Sequence, residues 1–243
     1  MDALKASLRA VEEKHYLLVY NQNRLRKIQP EDQMPIDTVV KDLDFANEDE
    51  RFWWDATAPS LAQLLNSCHY DEVHQLAHLR WYRKFIVPSL GPRPIAGVKP
   101  LFQASPVFDG SAVEHSINWK ESSEERTVRF TMEAIGYEAG TKRDPFNQEA
   151  TINLLTRMAK EMPELELDLE AFHTFADDLF LPPGTAGAVM SKLQDAGTPL
   201  SQVWLAFDLL RGRIMAKVYF MPVLKWTYTG IPTNELGMIS SSD

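Results

Sequence analysis

Four short segments of this chain alternate apolar and polar residues with a period of two. They come as two pairs, and helical sequence precedes each pair. In residues 113–119, Glu114, Ser116 and Asn118 oppose Val113, His115, Ile117 and Trp119. In residues 127–134, Thr127, Arg129, Thr131 and Glu133 oppose Val128, Phe130, Met132 and Ala134. Residues 202–210 set Gln202, Trp204, Ala206 and Asp208 against Val203, Leu205, Phe207 and Leu209. In residues 213–221, which follow a turn at Arg211-Gly212, Lys217, Tyr219 and Met221 lie opposite Val218 and Phe220. Each segment therefore reads as a strand with one apolar face and one face rich in polar or charged groups. A cation and a phenol on one face of the last strand suit an anionic ligand.

The helical signals complete an order of helix, helix, strand, strand, given twice. Leu4, Leu8, Val11 and Leu18 share a face over residues 2–19. Residues 22–50 are polar, contain Pro30 and Pro35, and read as a connector. Pro59 suits the first turn of a helix running through Leu61, Leu64, Leu65 and Cys68, and a second helix is expected over 71–86. The Leu90-Gly91-Pro92-Arg93-Pro94 run breaks the chain. After the first strand pair, further helices are expected from Asp144-Pro145-Phe146-Asn147 onward, over 168–180, and near 186–195. The division is residues 1–50, an N-terminal helix and polar connector, and residues 51–243, two ααββ units within one domain overall. The fold class is α/β in the α+β sense, with helices on the apolar face of antiparallel hairpins. The polar face then either meets water, as in an open sheet, or lines the lumen of a barrel.

Composition narrows the partners. The formal net charge of −9 argues against a nucleic-acid surface. One cysteine, Cys68, leaves no intrachain disulfide framework and fits a reducing, cytoplasmic setting. The opening Met-Asp-Ala-Leu-Lys lacks the apolar stretch of a signal peptide, and no run is long enough to cross a bilayer. His74 and His78 are spaced like half a zinc site, but Gln75 stands where a metalloprotease has its glutamate and no third ligand is evident. Asp177-Asp178 lacks the further acid of a magnesium-binding motif. The expectation is no metal site.

Several strings in order carry a family resemblance. They are Phe52-Trp53-Trp54 with Thr57-Ala58-Pro59-Ser60-Leu61-Ala62; Leu90-Gly91-Pro92-Arg93-Pro94; Asp109-Gly110-Ser111 leading to Glu114; Val128-Arg129-Phe130 with Glu133, Ile135 and Gly136; Ala139-Gly140-Thr141 with Asp144-Pro145-Phe146-Asn147; Ala206-Phe207-Asp208; and Lys217-Val218-Tyr219-Phe220 with Pro222 and Thr229-Gly230. From Phe52 to Gly230 the chain resembles the fungal dimethylallyltryptophan synthase family, the aromatic prenyltransferases of the ABBA fold. The resemblance implies part of an antiparallel barrel ringed by helices, the first two ααββ units of a family whose members are nearly twice as long. The barrel would be partial, or completed by a homodimer.

The resemblance also implies a reaction. A prenyl group would pass from dimethylallyl diphosphate to an aromatic, indole-type acceptor of fungal secondary metabolism, without a metal or other cofactor. Glu114 would accept the indole N–H and stabilise positive charge developing on the ring. Arg129, Lys217 and Tyr219 would hold the diphosphate, the first two as cations and Tyr219 as a donor with a π face toward the carbocation. Ser116, Thr131, Trp204 and Met221 would line the substrate cavity. Trp204 aligns by spacing near a position that is lysine in some relatives and takes up the arenium proton there. A tryptophan cannot do so, and it either lines the lumen or blocks it. The alternative is a shortened, non-prenylating paralogue that binds a partner or catalyses another reaction, such as a cyclisation or isomerisation, in the same cavity.

Overall fold

Helix α1 (Glu48–Ser67) starts earlier than its proline suggests. Asn47 accepts a hydrogen bond from Glu50 N at 2.9 Å, and Glu48, Asp49 and Glu50 place three acids at the positive end of the helix dipole. This cap outweighs Pro59, which lies inside the helix and not in its first turn. Nearby, the Thr57 hydroxyl donates to Trp53 O. The computed structural model describes residues 44–107, 111–119, 126–165, 167–193 and 201–230, all within the compact unit Met34–Asp243. The helix expected over 2–19 and most of the connector lie outside them.

Asp71 caps α2 (Glu72–Trp81), whose last turn widens into a π-type turn at Tyr82–Ile86 and tightens again at Val87–Ser89. Strands β1 (Val113–Trp119) and β2 (Arg126–Met132) form the first hairpin. Three helices follow: α3 (Glu149–Glu161), α4 (Leu169–Leu179) and α5 (Ala186–Leu193). The Asp144-Pro145-Phe146-Asn147 string precedes α3 and caps it, since the Asp144 carboxylate accepts from Gln148 N and Glu149 N. Strands β3 (Val203–Leu210) and β4 (Arg213–Phe220) turn at Arg211-Gly212 as expected, with Gly212 at φ 83°. A short helix α6 (Val223–Thr229) follows Pro222 and had no counterpart in the sequence reading.

The four strands make one antiparallel sheet in the order β1-β2-β3-β4, which joins the two hairpins through β2 and β3. Among the described residues the sheet is not closed into a barrel, and β1 and β4 are its outer strands. Period 2 sorts the faces as expected. Val128, Phe130, Met132, Leu205, Phe207 and Leu209 are all buried beneath the helices. Their core is aromatic. Trp81 packs edge-on to Phe207 at 5.1 Å, Tyr82 edge-on to Phe130 at 5.3 Å, and Phe130 lies 5.2 Å from Phe207.

The His74 and His78 pair, spaced like half a zinc site, is taken up in ordinary packing. His74 bonds to Asp71 within its own helix turn, while the His78 ring reaches Leu210 O at 3.1 Å. Burial pushes His78 down to about 4, so it sits there neutral. Among the described residues no cluster of three or more His, Cys, Asp or Glu side chains is placed to hold a metal ion, and no helix is long and apolar enough to cross a membrane.

Candidate active site

The register of the sheet brings the candidate residues onto one face. Glu114 pairs with Thr131, Thr131 with Ala206, and Ala206 with Lys217, so one row across all four strands has a carboxylate at one end and an ammonium at the other. With neighbouring strands about 4.8 Å apart, the row spans roughly 14 Å between Cα atoms. The next row carries Ser116, Arg129, Asp208 and Met215. Beyond the first row on the other side, Trp204 pairs with Tyr219. Met221 follows β4, its N–H held by Gln202 O at 2.7 Å.

Asp208 organises the cations. Arg129 Nε donates to its Oδ1 at 2.6 Å and Arg129 Nη2 to its Oδ2 at 3.3 Å. Lys217 Nζ meets the same Oδ2 at 2.6 Å. The carboxylate is buried, while the two cations keep about 30% of their side chains open to solvent. Burial pushes Asp208 up, but the bonds from Arg129 and Lys217 outweigh it and hold the group below the usual carboxylate range. Alternation places Asp208 on this face without assigning it a role. The Arg211-Gly212 turn sets Asp208 opposite Met215 and so diagonal to Lys217, a signal within reach of the sequence. The link to Arg129 needs the register between the two hairpins, which no single segment encodes.

The remaining candidates are more open. Glu114 and Ser116 are exposed, Thr131 and Trp204 are half-buried, and Tyr219 is 45% exposed. Glu114 has no hydrogen-bond partner among the described residues, and partial burial raises its carboxyl above the ordinary value. Arg129 and Lys217 are thus brought together by a shared counter-charge, and Tyr219 stands two residues beyond Lys217 on the same strand.

A second cluster was missed. Glu133, 2% exposed, accepts from Ser201 Oγ at 2.6 Å and from Ser105 N at 3.2 Å. Ser105 Oγ donates to Ser201 Oγ, and Trp204 Nε1 donates to Ser105 Oγ at 3.1 Å. Burial raises the Glu133 carboxyl to about 7, against the opposing effect of these bonds and one from Asn147. Ser105 and Ser201 lie outside regular elements, where no periodicity marks them.

Residues 49–240 match the family described as tryptophan dimethylallyltransferase. The chain belongs to this family. It is 39% identical over 199 residues to prenyltransferase iacE of Pestalotiopsis fici, an alignment covering 82% of this chain and 44% of that protein. With a 7-dimethylallyltryptophan synthase of Aspergillus fumigatus it shares 35% identity over 193 residues, 76% of this chain and 40% of the relative. The fold matches the crystal structure of AnaPT from Neosartorya fischeri with a TM-score of 0.76 and 31% identity, covering 84% of this chain and 50% of that one. The sheet and its helices are therefore part of an ABBA prenyltransferase fold, and the chain spans less than half the length of these curated relatives.

Proposed function

We propose that this chain serves an aromatic prenyltransferase of fungal secondary metabolism, which moves a dimethylallyl group from dimethylallyl diphosphate to an indole-type acceptor without a metal. The observation that carries the reading is the row from Glu114 to Lys217, within a chain of this family. Its span of roughly 14 Å suits an aromatic bicycle laid end to end with an allyl group. The allylic C–O bond breaks, and diphosphate leaves with the electron pair toward Lys217, Arg129 and the Tyr219 hydroxyl. A ring carbon attacks the allyl cation while Glu114 accepts the indole N–H and stabilises charge growing on the ring. Loss of the ring proton to the released diphosphate restores aromaticity. Ser116, Thr131, Trp204 and Met221 border the reacting groups.

Charge balance on this face supports a further element. Arg129 and Lys217 are both engaged by the Asp208 carboxylate, so a diphosphate would have to compete with it for them. A second copy of the chain, paired along β1 or β4 in a homodimer, would cover the face. The same balance favours the second reading, a non-prenylating relative that binds a partner through this sheet. Titration calorimetry with dimethylallyl S-thiolodiphosphate in EDTA, alongside light scattering, separates the two. Binding that survives EDTA and weakens about tenfold or more in Lys217→Ala, as loss of a charge-assisted bond worth roughly 1.5–3 kcal/mol requires, supports the transferase. Absence of binding at any oligomeric state supports the partner-binding relative.

A further inference from the structure

The Glu133 cluster has a direction. An indole N–H can only donate, so Trp204 fixes Ser105 Oγ as its acceptor. The Ser105 hydroxyl donates onward to Ser201, and the Ser201 hydroxyl to Glu133 Oε2. Each hydroxyl accepts once and donates once, and the chain ends on Glu133 Oε2. Glu133 also takes Ser105 N on the same oxygen, which fixes the backbone of the residue that holds the indole.

A buried carboxyl without a cation is costly to keep. Among the described residues Glu133 has no salt bridge, and Arg129 and Lys217 are engaged by Asp208. What its burial secures is the orientation of one ring. Trp204 lies on the polar face opposite Tyr219, half-buried, with its only polar atom turned into the cluster. The surface it leaves to the face is therefore carbon and π-electron density.

We propose that Glu133 is a positioning residue: through Ser201 and Ser105 it locks the Trp204 indole so that its carbon surface forms an aromatic wall for the acceptor on the polar face. Trp204 is then a stacking surface beside the reacting groups, and neither a proton acceptor nor a plug. The inference rests on the prenyl-transfer reading of that face.

The test begins without any ligand. With the indole nitrogens isotope-labelled, the Trp204 N–H is assigned by Trp204→Phe, and its exchange with solvent is followed in the full chain. Ser105→Ala and Glu133→Leu should each speed that exchange about tenfold, the change expected when one hydrogen bond of this kind is lost. Glu133→Gln should match wild type, because both bonds reach a single oxygen and an amide oxygen can accept both. If Glu133→Leu does not fold, Ser201→Ala cuts the chain at its middle with the same expected effect. Unchanged Trp204 exchange in folded Ser105→Ala, or in a folded variant lacking the Glu133 or Ser201 acceptor, overturns the proposal.

A second arm titrates free indole and dimethylallyl S-thiolodiphosphate. Indole binding should weaken in Glu133→Leu as it does in Trp204→Leu and recover in Glu133→Gln, while thiolodiphosphate binding stays constant. Indole affinity that is the same in wild type and Trp204→Leu overturns the wall. If wild type binds neither probe, the prenyltransferase reading fails and with it the wall, while the exchange data still decide the positioning of Trp204.

Discussion

Lys217 Nζ meets Asp208 Oδ2 at 2.6 Å across a strand pair in which Lys217 stands opposite Ala206 and Asp208 opposite Met215. The contact is diagonal, and Arg129 reaches the same carboxylate from the other neighbouring strand. One buried acid thus holds two cations in place and also competes with any anion for them. Asp208→Asn should lower stability by about 1–3 kcal/mol, as a mostly buried charge partner is lost. It should also tighten thiolodiphosphate binding, because a like charge beside the phosphates is gone. Denaturant unfolding and calorimetry on the same variant check both directions.

Glu114→Gln tests the other end of the row. The side chain is exposed and unpaired among the described residues, so thermal stability should change by less than about 0.5 kcal/mol. Prenyl transfer to an indole should fall sharply, because a neutral amide stabilises developing positive charge poorly. Retained transfer with a lowered melting temperature would refute the role.

Glu133 gives a stability signature opposite to that of most carboxylates. Its folded value, raised to about 7, exceeds that of an unfolded glutamate, so the folded state binds more protons between the two. The stabilisation is full below the unfolded value and is lost as pH rises through about 7. Wild type should therefore lose about 3 kcal/mol relative to Glu133→Gln between pH 4 and 8. Urea unfolding of the two proteins at several pH values measures this, and a constant difference would show that Glu133 is not buried in this way.

His115 acts in the other sense. Its ring packs against Tyr82 and Phe130, with Nδ1 on the Ser60 hydroxyl and Nε2 unpartnered, and burial pushes it down to about 4. A histidine that folds neutral contributes stability present above its unfolded value and lost as pH falls toward the folded one. His115→Phe should flatten the acid side of the stability profile between about pH 6.5 and 4. An unchanged profile in that window would refute the assignment.

Gly140 sits at φ 79°, and a Cβ there would overlap Leu101 O. The clash is with backbone, which cannot rotate away, and it adds to the cost of a left-handed conformation. Gly140→Ala should cost at least about 2 kcal/mol, read as a lowered unfolding midpoint. A near-neutral result would show that the 101 and 140 segments do not meet.

The strands were legible because a half-buried pleat writes its burial directly into alternating residues, and β1, β3 and β4 fall within a residue of their expected bounds. The beginning of α1 was not, because Pro59 is a strong local signal and the deciding cap at Asn47 lies a dozen residues upstream. The candidate site was half legible. Alternation puts Glu114, Arg129, Trp204, Asp208 and Lys217 on one face, but which of them touch depends on pairing between hairpins. The Glu133 chain drew on two serines from irregular segments that only tertiary structure brings together.

The seam between the hairpins has one more stitch. Tyr70, on the turn between α1 and α2, receives a hydrogen bond from Val128 N and donates one to Leu209 O, a residue 139 positions away, where the β2–β3 ladder ends. A side chain from the first helical pair thus serves as the last rung joining two strands that belong to different units. Such a rung ties together residues far apart in the chain, the kind of contact that loop closure makes costly to form.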